Sequence, residues 1–387
     1  VSLADAVNDM AHAEPSRVPL AQLDFEKQTG TVIKAAPVAS EDYRRVVEEA
    51  TGYKVPEGQD VVLERMTLHQ GPTGVQYWYK FKFVARTEEL ADIERPSLAE
   101  LRRWVKSQTR KADSRKGRGR PAVLNIADLQ IGKTDRWGGT KETVEQFMVA
   151  VEEMRKYIIR NGCPSAVLTE LGDGAENFQN TPSQAQTNDR QLIEQLDLHT
   201  ELLAHATVTL AREVDDLTVL GVPSNHMEVR ENGHAVGGPH NDYGLLSMSN
   251  VKRIVQYNPD AFGHVKFVWP TDHEVSVTIP VNGTSVGFAH GHYSRGSGAA
   301  DGVPKWLTGQ FAGNHPLQPA DIIVTAHFHH LRMQNIIGGR WWLQAPTLDR
   351  GSSWLERSNG EGNSQNGILA FTVADGTWHD LELLRTA

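Results

Sequence analysis

The 387-residue sequence contains a single cysteine, Cys163. An internal disulfide and a thiolate metal cluster are therefore excluded, so any metal would be held by His, Asp, Glu, Asn or Gln. Such a nitrogen and oxygen donor set favours Mn²⁺, Fe²⁺ or Zn²⁺. A lone thiol also suits a reducing cytoplasm, which is the expected location. No apolar run approaches the length of a membrane span, and the N-terminal stretch lacks the charged-then-apolar order of a secretory signal. P-loop and dinucleotide fingerprints are missing, which removes the commonest nucleotide-loop chemistries. An excess of positive charge is missing too. The net charge of −9 argues against a protein that coats nucleic acid.

Along the chain, a helix is expected through Glu41–Ala50, followed by a hairpin of Val61–His69 and Val75–Arg86 around a Gly71-Pro-Thr-Gly74 turn. On its second strand Tyr77, Tyr79, Phe81 and Phe83 share one face, a small core. Trp78, Lys80 and Lys82 share the other, which is either solvated or able to meet a nucleic-acid backbone and stack a base. Residues 1–105 read as an N-terminal accessory region of α+β type ending in a helix over Pro96–Gln108. Residues 106–120 read as a basic linker, with Arg110, Lys111, Arg115, Lys116, Arg118 and Arg120. From residue 121 to 387 the rhythm changes to strand–loop–helix, with a helix over Thr140–Ile159, another over Asp189–Val214, and strands such as Ala122–Ala127, Ala166–Leu171 and Leu217–Val222. A strand-rich second half suggests two packed sheets flanked by helices, an α/β fold.

Each apolar strand of this region ends in a polar cluster. The clusters are Asn125-Ile-Ala-Asp128-Leu-Gln130, Leu171-Gly-Asp173-Gly-Ala-Glu176-Asn177, Val222-Pro-Ser-Asn225-His226, Ala289-His290-Gly-His292, and Ala326-His327-Phe-His329-His330. Singly, each has an ordinary explanation as a cap, a turn or a loop. Five together at strand ends point to a metal site. Side chains two apart on extended backbone point the same way, so His327 and His329 are expected to project together.

The order Asp-x-(His), Gly-Asp-x-x-(Asp/Glu/Asn), Asn-His, His, His-x-His resembles the calcineurin-like metallophosphoesterase superfamily, from residue 121 onward. The resemblance implies a four-layer α-β-β-α sandwich of two mixed sheets. It implies two divalent ions, Mn²⁺ foremost, one held by Asp128, Gln130, Asp173 and His329 and the other by Asp173, Asn225, His290 and His327. His226 would act on the phosphoryl group or the leaving oxygen. Three positions depart from the usual pattern. Gln130 stands where His is usual and is a weaker donor, while Ser224 and Ala326 replace glycines.

Substrate-binding candidates are His292 and Arg295, in the loop after His290 and able to reach phosphate, and Glu176 and Asn177, which follow the shared Asp173 and could instead support it. Three functions remain. The first is a DNA nuclease, similar to the double-strand-break repair exonuclease branch and to bacteriophage-encoded relatives, whose flavour Gln344–Trp354 carries. The expectation is then a bacterial or phage-encoded enzyme with DNA as partner, alongside a homodimer or a partner ATPase. The second is a phosphodiesterase or pyrophosphatase of small nucleotides, suggested by Gln130 and the acidic charge. The third is a degenerate structural module. The nuclease is preferred.

Overall fold

A computed structural model of the protein describes residues 21–24, 29–34, 43–55, 59–71, 74–85, 98–110, 119–179, 187–271, 273–294, 302–351 and 366–385. The chain divides into two compact units, Val1–Glu88 and Glu89–Ala387.

In the first unit, β1 (Ala21–Asp24), β2 (Thr29–Lys34), β3 (Gln59–Gly71) and β4 (Gly74–Ala85) form an antiparallel sheet of order β1-β2-β4-β3, with α1 (Tyr43–Thr51) between β2 and β3 in the chain. The period-2 alternation of β4 separates its faces. Tyr79, Phe81 and Phe83 are buried with Val32, Val46 and Val47 of β2 and α1, and Lys80 and Lys82 are exposed. The expected hairpin forms, and the tip residues 72–73 lie outside the described residues.

The second unit begins with α2 (Leu98–Ser107). Its Leu101 and Val105 belong to the unit's largest core, and Asn258 Nδ2 donates to Val105 O at 3.0 Å. The boundary between units therefore falls at Glu88 and not near residue 105. Arg110, at the start of the expected basic linker, pairs with Asp215 at 3.1 Å, while residues 111–118 lie outside the described residues.

The order then runs β5 (Ala122–Ile126), α3 (Thr140–Arg160), β6 (Ser165–Glu170), α4 (Leu192–Ala211), β7 (Asp216–Gly221), the short pair β8 (Arg230–Glu231) and β9 (His234–Ala235), α5 (Tyr243–Val255), α6 (Pro259–Phe262) and β10 (Val265–Val268). It continues through β11 (Ser276–Val281), β12 (Thr284–Ala289), α7 (Gly302–Ala312), β13 (Ile322–Thr325), β14 (Arg332–Ile336), β15 (Arg340–Gln344), β16 (Ile368–Ala374) and β17 (Thr377–Leu384). One mixed sheet has the order β10-β7-β6-β5-β16-β17, parallel from β10 to β5. A second has β11-β12-β13-β15-β14, parallel from β12 to β15.

Strands buried on both faces read as continuous apolar runs, which is why β5 and β13 show no alternation. Three cores follow. Phe147, Val151, Met154 and Ile158 of α3 and Leu202 and Leu203 of α4 pack with Leu124, Leu168 and Val219 of the first sheet. On the opposite face Val123, Val167, Leu220 and Phe371 meet Val286, Phe288, Val324 and Leu343 of the second sheet. Val303 and Leu307 of α7 pack with Ile323 and Trp342 on the far side of that sheet. No described helix is long and apolar enough to cross a membrane.

Candidate metal centre

The parallel strands β5, β6, β7, β12 and β13 each run into one of the polar clusters, so both sheets deliver polar loops from carboxyl ends. These loops are tight. Asp128, Gln130, Asp173, His327 and His329 all adopt left-handed backbone, with φ of 50°, 46°, 53°, 74° and 59°. For side chains with a Cβ this costs roughly 1–2 kcal/mol each, and such strain gathers where the surroundings hold a functional geometry. Two loops are tied to each other by main-chain bonds, Asp128 N–H to Gly172 O (3.0 Å) and Gln130 N–H to Asp173 O (2.9 Å).

Asp173 is the hub. Its carboxylate accepts from His226 N–H at 2.9 Å through Oδ1, and Oδ2 lies 3.0 Å from His290 Nε2. Donor atoms of Asp173, His290 and His327 all fall within 4.8 Å of one another. His290 is oriented by its other nitrogen, Nδ1, which donates to Leu171 O at 2.7 Å, so that Nε2 also faces Asn225 Oδ1 at 3.0 Å. On the other side of Asp173, Asp128 is fully buried. Its Oδ2 accepts from His327 N–H (3.1 Å), and its Oδ1 lacks a hydrogen-bond partner and lies 3.5 Å from His329 Nε2. A buried carboxylate oxygen left open toward an imidazole is the kind of vacancy a hard cation satisfies.

The expectation for His327 and His329 needs correcting. β13 stops at Thr325, and left-handed turns at both histidines aim them at different partners. His327 joins His290, with ring centroids 5.0 Å apart, and His329 faces Asp128. Glu176 and Asn177 both contact His226. The Glu176 carbonyl is 3.0 Å and its Oε2 3.3 Å from His226 Nδ1. The Asn177 side chain donates to His226 O (2.9 Å) and accepts from Phe178 N–H (2.7 Å). Gln130 is buried beside Asp173, and Arg295 lies outside the described residues.

Charge is strongly organised. Burial works against the Asp173 carboxylate, but His290 and His226 outweigh it and hold its pKa well below the usual range. Burial likewise opposes charge on His226 and His290, yet Asp173 raises them to about 10 and about 9, with Glu176 adding to the first. Burial and the neighbouring His290 lower His327 to about 4, and the same pair of causes puts His292 far below its ordinary value. The pocket thus concentrates positive charge on one carboxylate, a charge demand that a divalent cation also meets.

Several contributors were given no supporting role by the sequence. The Ser224 hydroxyl accepts from Asp173 N–H at 2.8 Å, so the departure from glycine adds a support. Thr347 Oγ1 donates to Asp128 O at 2.6 Å and accepts from Asp349 N–H at 2.8 Å. Asp349 is ion-paired with Lys133, which also donates to Gly351 O at 2.6 Å. Thr347, Asp349 and Gly351 sit in Gln344–Trp354, the stretch that stood out by resemblance, which assigned them no role.

No protein-family profile and no curated protein matches the sequence. Among solved structures the chain is similar to a predicted phosphoesterase from Streptococcus pneumoniae, at 8% identity over 70% of this chain and 92% of that one, with a TM-score of 0.30. It is similar to Vps29 from Entamoeba histolytica, complexed with Zn²⁺, at 12% identity over 69% and 99%, with a TM-score of 0.29. A putative 5′-nucleotidase from Staphylococcus aureus gives 12% identity over 69% and 54%, with a TM-score of 0.32.

Proposed function

We propose that the protein is a divalent-metal-dependent phosphodiester hydrolase whose substrate is DNA. The hydrolase reading is carried by the convergence of Asp173, His290 and His327 from three separate strand ends, with donor atoms within 4.8 Å. Asp128, Gln130, Asp173 and His329 would hold one ion and Asp173, Asn225, His290 and His327 the other, Mn²⁺ foremost. When bound, the cations supply charge neutralisation on phosphoryl oxygens and a lowered pKa for water. The three cores, read as helix–sheet–sheet–helix layers, suit the same reading.

The chain's own groups do the rest. Glu176 anchors His226 through Nδ1, which turns Nε2 toward the Asp173 side, 4.0 Å from Oδ2. Held protonated, His226 gives its Nε2 proton to the departing oxygen, as a general acid must. Ser224 and the left-handed loops keep Asp173 in place while the charge around it changes.

DNA is favoured by the outer face of the first unit's sheet. There the ring of Trp78 lies 4.6 Å from that of His69, tilted by 44°, on a strand face that also carries the exposed Lys80 and Lys82. An aromatic ring and cations on one sheet face suit a base and its phosphates. The basic stretch over residues 106–120 adds to this. A second reading, hydrolysis of small nucleotides, is favoured by Gln130 and the net charge of −9. The test is Mn²⁺-dependent cleavage of linear duplex and single-stranded DNA against bis-p-nitrophenyl phosphate and ADP-ribose. Cleavage of DNA is expected. Turnover of ADP-ribose with intact DNA would replace the first reading by the second.

A further inference from the structure

His292 is enclosed beside the centre, and nothing in the described protein satisfies it. Its side chain is 10% exposed, and neither Nδ1 nor Nε2 has a hydrogen-bond partner. Its ring stands 5.3 Å from that of His290, 6.3 Å from that of His327 and 4.1 Å from that of Tyr293. The nearest carboxylate, Glu228 Oε1, is 3.9 Å from Nε2, beyond hydrogen-bond reach, and its Oε2 is occupied by Arg230 at 2.8 Å. Buried polar groups in folded proteins are ordinarily paired, so a ring whose two nitrogens are open among the described residues is available to a ligand at the centre. A structural histidine would bond to a carbonyl or carboxylate, as His290 and His226 do. A purely packed ring could equally be phenylalanine and would avoid the desolvation.

We infer that His292 is a substrate-contacting residue that binds the phosphoryl group of the ester and one of the hydroxyls exchanged during hydrolysis. An imidazole carrying one proton offers one donor and one acceptor. A phosphoryl oxygen accepts from the donor, and the attacking water or departing hydroxyl donates to the acceptor. The inference rests on the hydrolase reading and adds a specificity contact to it.

The experiment uses the full chain loaded with Mn²⁺ and compares wild type, His292→Phe and His292→Asn. Phenylalanine keeps the ring packed against Tyr293 and His290 and removes both nitrogens. Asparagine keeps a donor and an acceptor. Metal content is measured by mass spectrometry, binding of inorganic phosphate by calorimetry, and kcat and KM on bis-p-nitrophenyl phosphate. His292→Phe is expected to keep its metal and its Tm while phosphate affinity and kcat/KM each fall roughly tenfold, and His292→Asn to recover part of both. Phosphate affinity and kcat/KM at wild-type levels in His292→Phe would overturn the inference. So would a loss of metal in proportion to the loss of activity. A wild type that takes up no metal would instead sink the hydrolase reading, and this inference with it.

Discussion

The loop carrying Asp173 is so closely packed that one added methyl group should disturb it, and a second substitution should predictably relieve the disturbance. Gly172 has φ of 97°, and a Cβ there would meet Ser224 Cβ at 2.4 Å, Ser224 Oγ at 2.9 Å and His290 Nδ1 at 2.9 Å. Gly172→Ala therefore combines about 1–2 kcal/mol of left-handed strain with about 1–3 kcal/mol of overpacking, or roughly 2–5 kcal/mol in all. Ser224→Gly has a separate cost. It strands the buried Asp173 N–H, about 1–3 kcal/mol, and frees the backbone at 224, about 0.5–1 kcal/mol. In the double variant the two clashing Ser224 atoms are gone and only the His290 contact remains. The summed destabilisation should then fall short of additivity by about 1–2 kcal/mol. Urea denaturation of the four proteins in EDTA measures this cycle without interference from bound metal. Additivity within about 0.5 kcal/mol would refute the proposed packing of the Asp173 loop on Ser224.

Asp173→Asn should abolish hydrolysis of bis-p-nitrophenyl phosphate and lower metal content, because this side chain faces His290 and His226 and is shared by both proposed ion sites. His226→Ala should reduce turnover about 100-fold or more while leaving metal content at the wild-type level, as expected of a proton donor that is not a ligand. Metal analysis of the two variants separates these roles. Asp242, which is not itself a proposed ligand, gives a pH prediction. Burial, and less strongly Glu170, push its pKa up to about 7 against bonds from Ser224 N–H and Leu245 N–H. The folded value lies above the unfolded one, so this contribution to stability is complete below the unfolded carboxylate range and is lost as pH rises through 7. Stability should drop by roughly 1 kcal/mol per pH unit between 5 and 7, and thermal melts in EDTA of wild type and Asp242→Asn should show that slope flattening in the variant.

The strands of the second unit were legible because sheets covered on both faces demand largely apolar segments, and β5, β6, β7 and β13 each carry one, as in Ala122–Leu124, Ala166–Leu168, Val219–Leu220 and Ile322–Val324. Polar residues placed just beyond them could only lie at the strand ends. α5 and α7 were not anticipated from sequence. α7 contains Pro304 and two glycines, and its buried face is narrow, so no helical stripe stands out. β14 is an edge strand whose half-buried and exposed positions alternate, but they are filled by Arg332, Met333, Gln334, Asn335 and Ile336, an order with no clear polar–apolar alternation. The unit boundary was misplaced because a helix such as α2 shows its apolar residues in sequence but not which core they enter.

Backbone conformation was the least legible feature, and it decides how the centre is built. The histidines at 327 and 329 look like neighbours on a strand, yet two left-handed turns send one toward Asp173 and His290 and the other toward Asp128. Left-handed backbone is uncommon for any residue other than glycine, histidine included, so local propensity predicts the wrong geometry. Tertiary bonds hold it instead: Asp128 Oδ2 accepts from His327 N–H, and Ala326 N–H donates to His290 O at 2.9 Å. Each candidate ligand thus depends on another candidate's loop for its own orientation. The Asp128 loop is tied to the Asp173 loop, and Asp173 is tied to Ser224 and His226 of the next. Loss of one connection should therefore loosen donors on strands it never touches, which is the reason the Gly172–Ser224 cycle probes the whole centre.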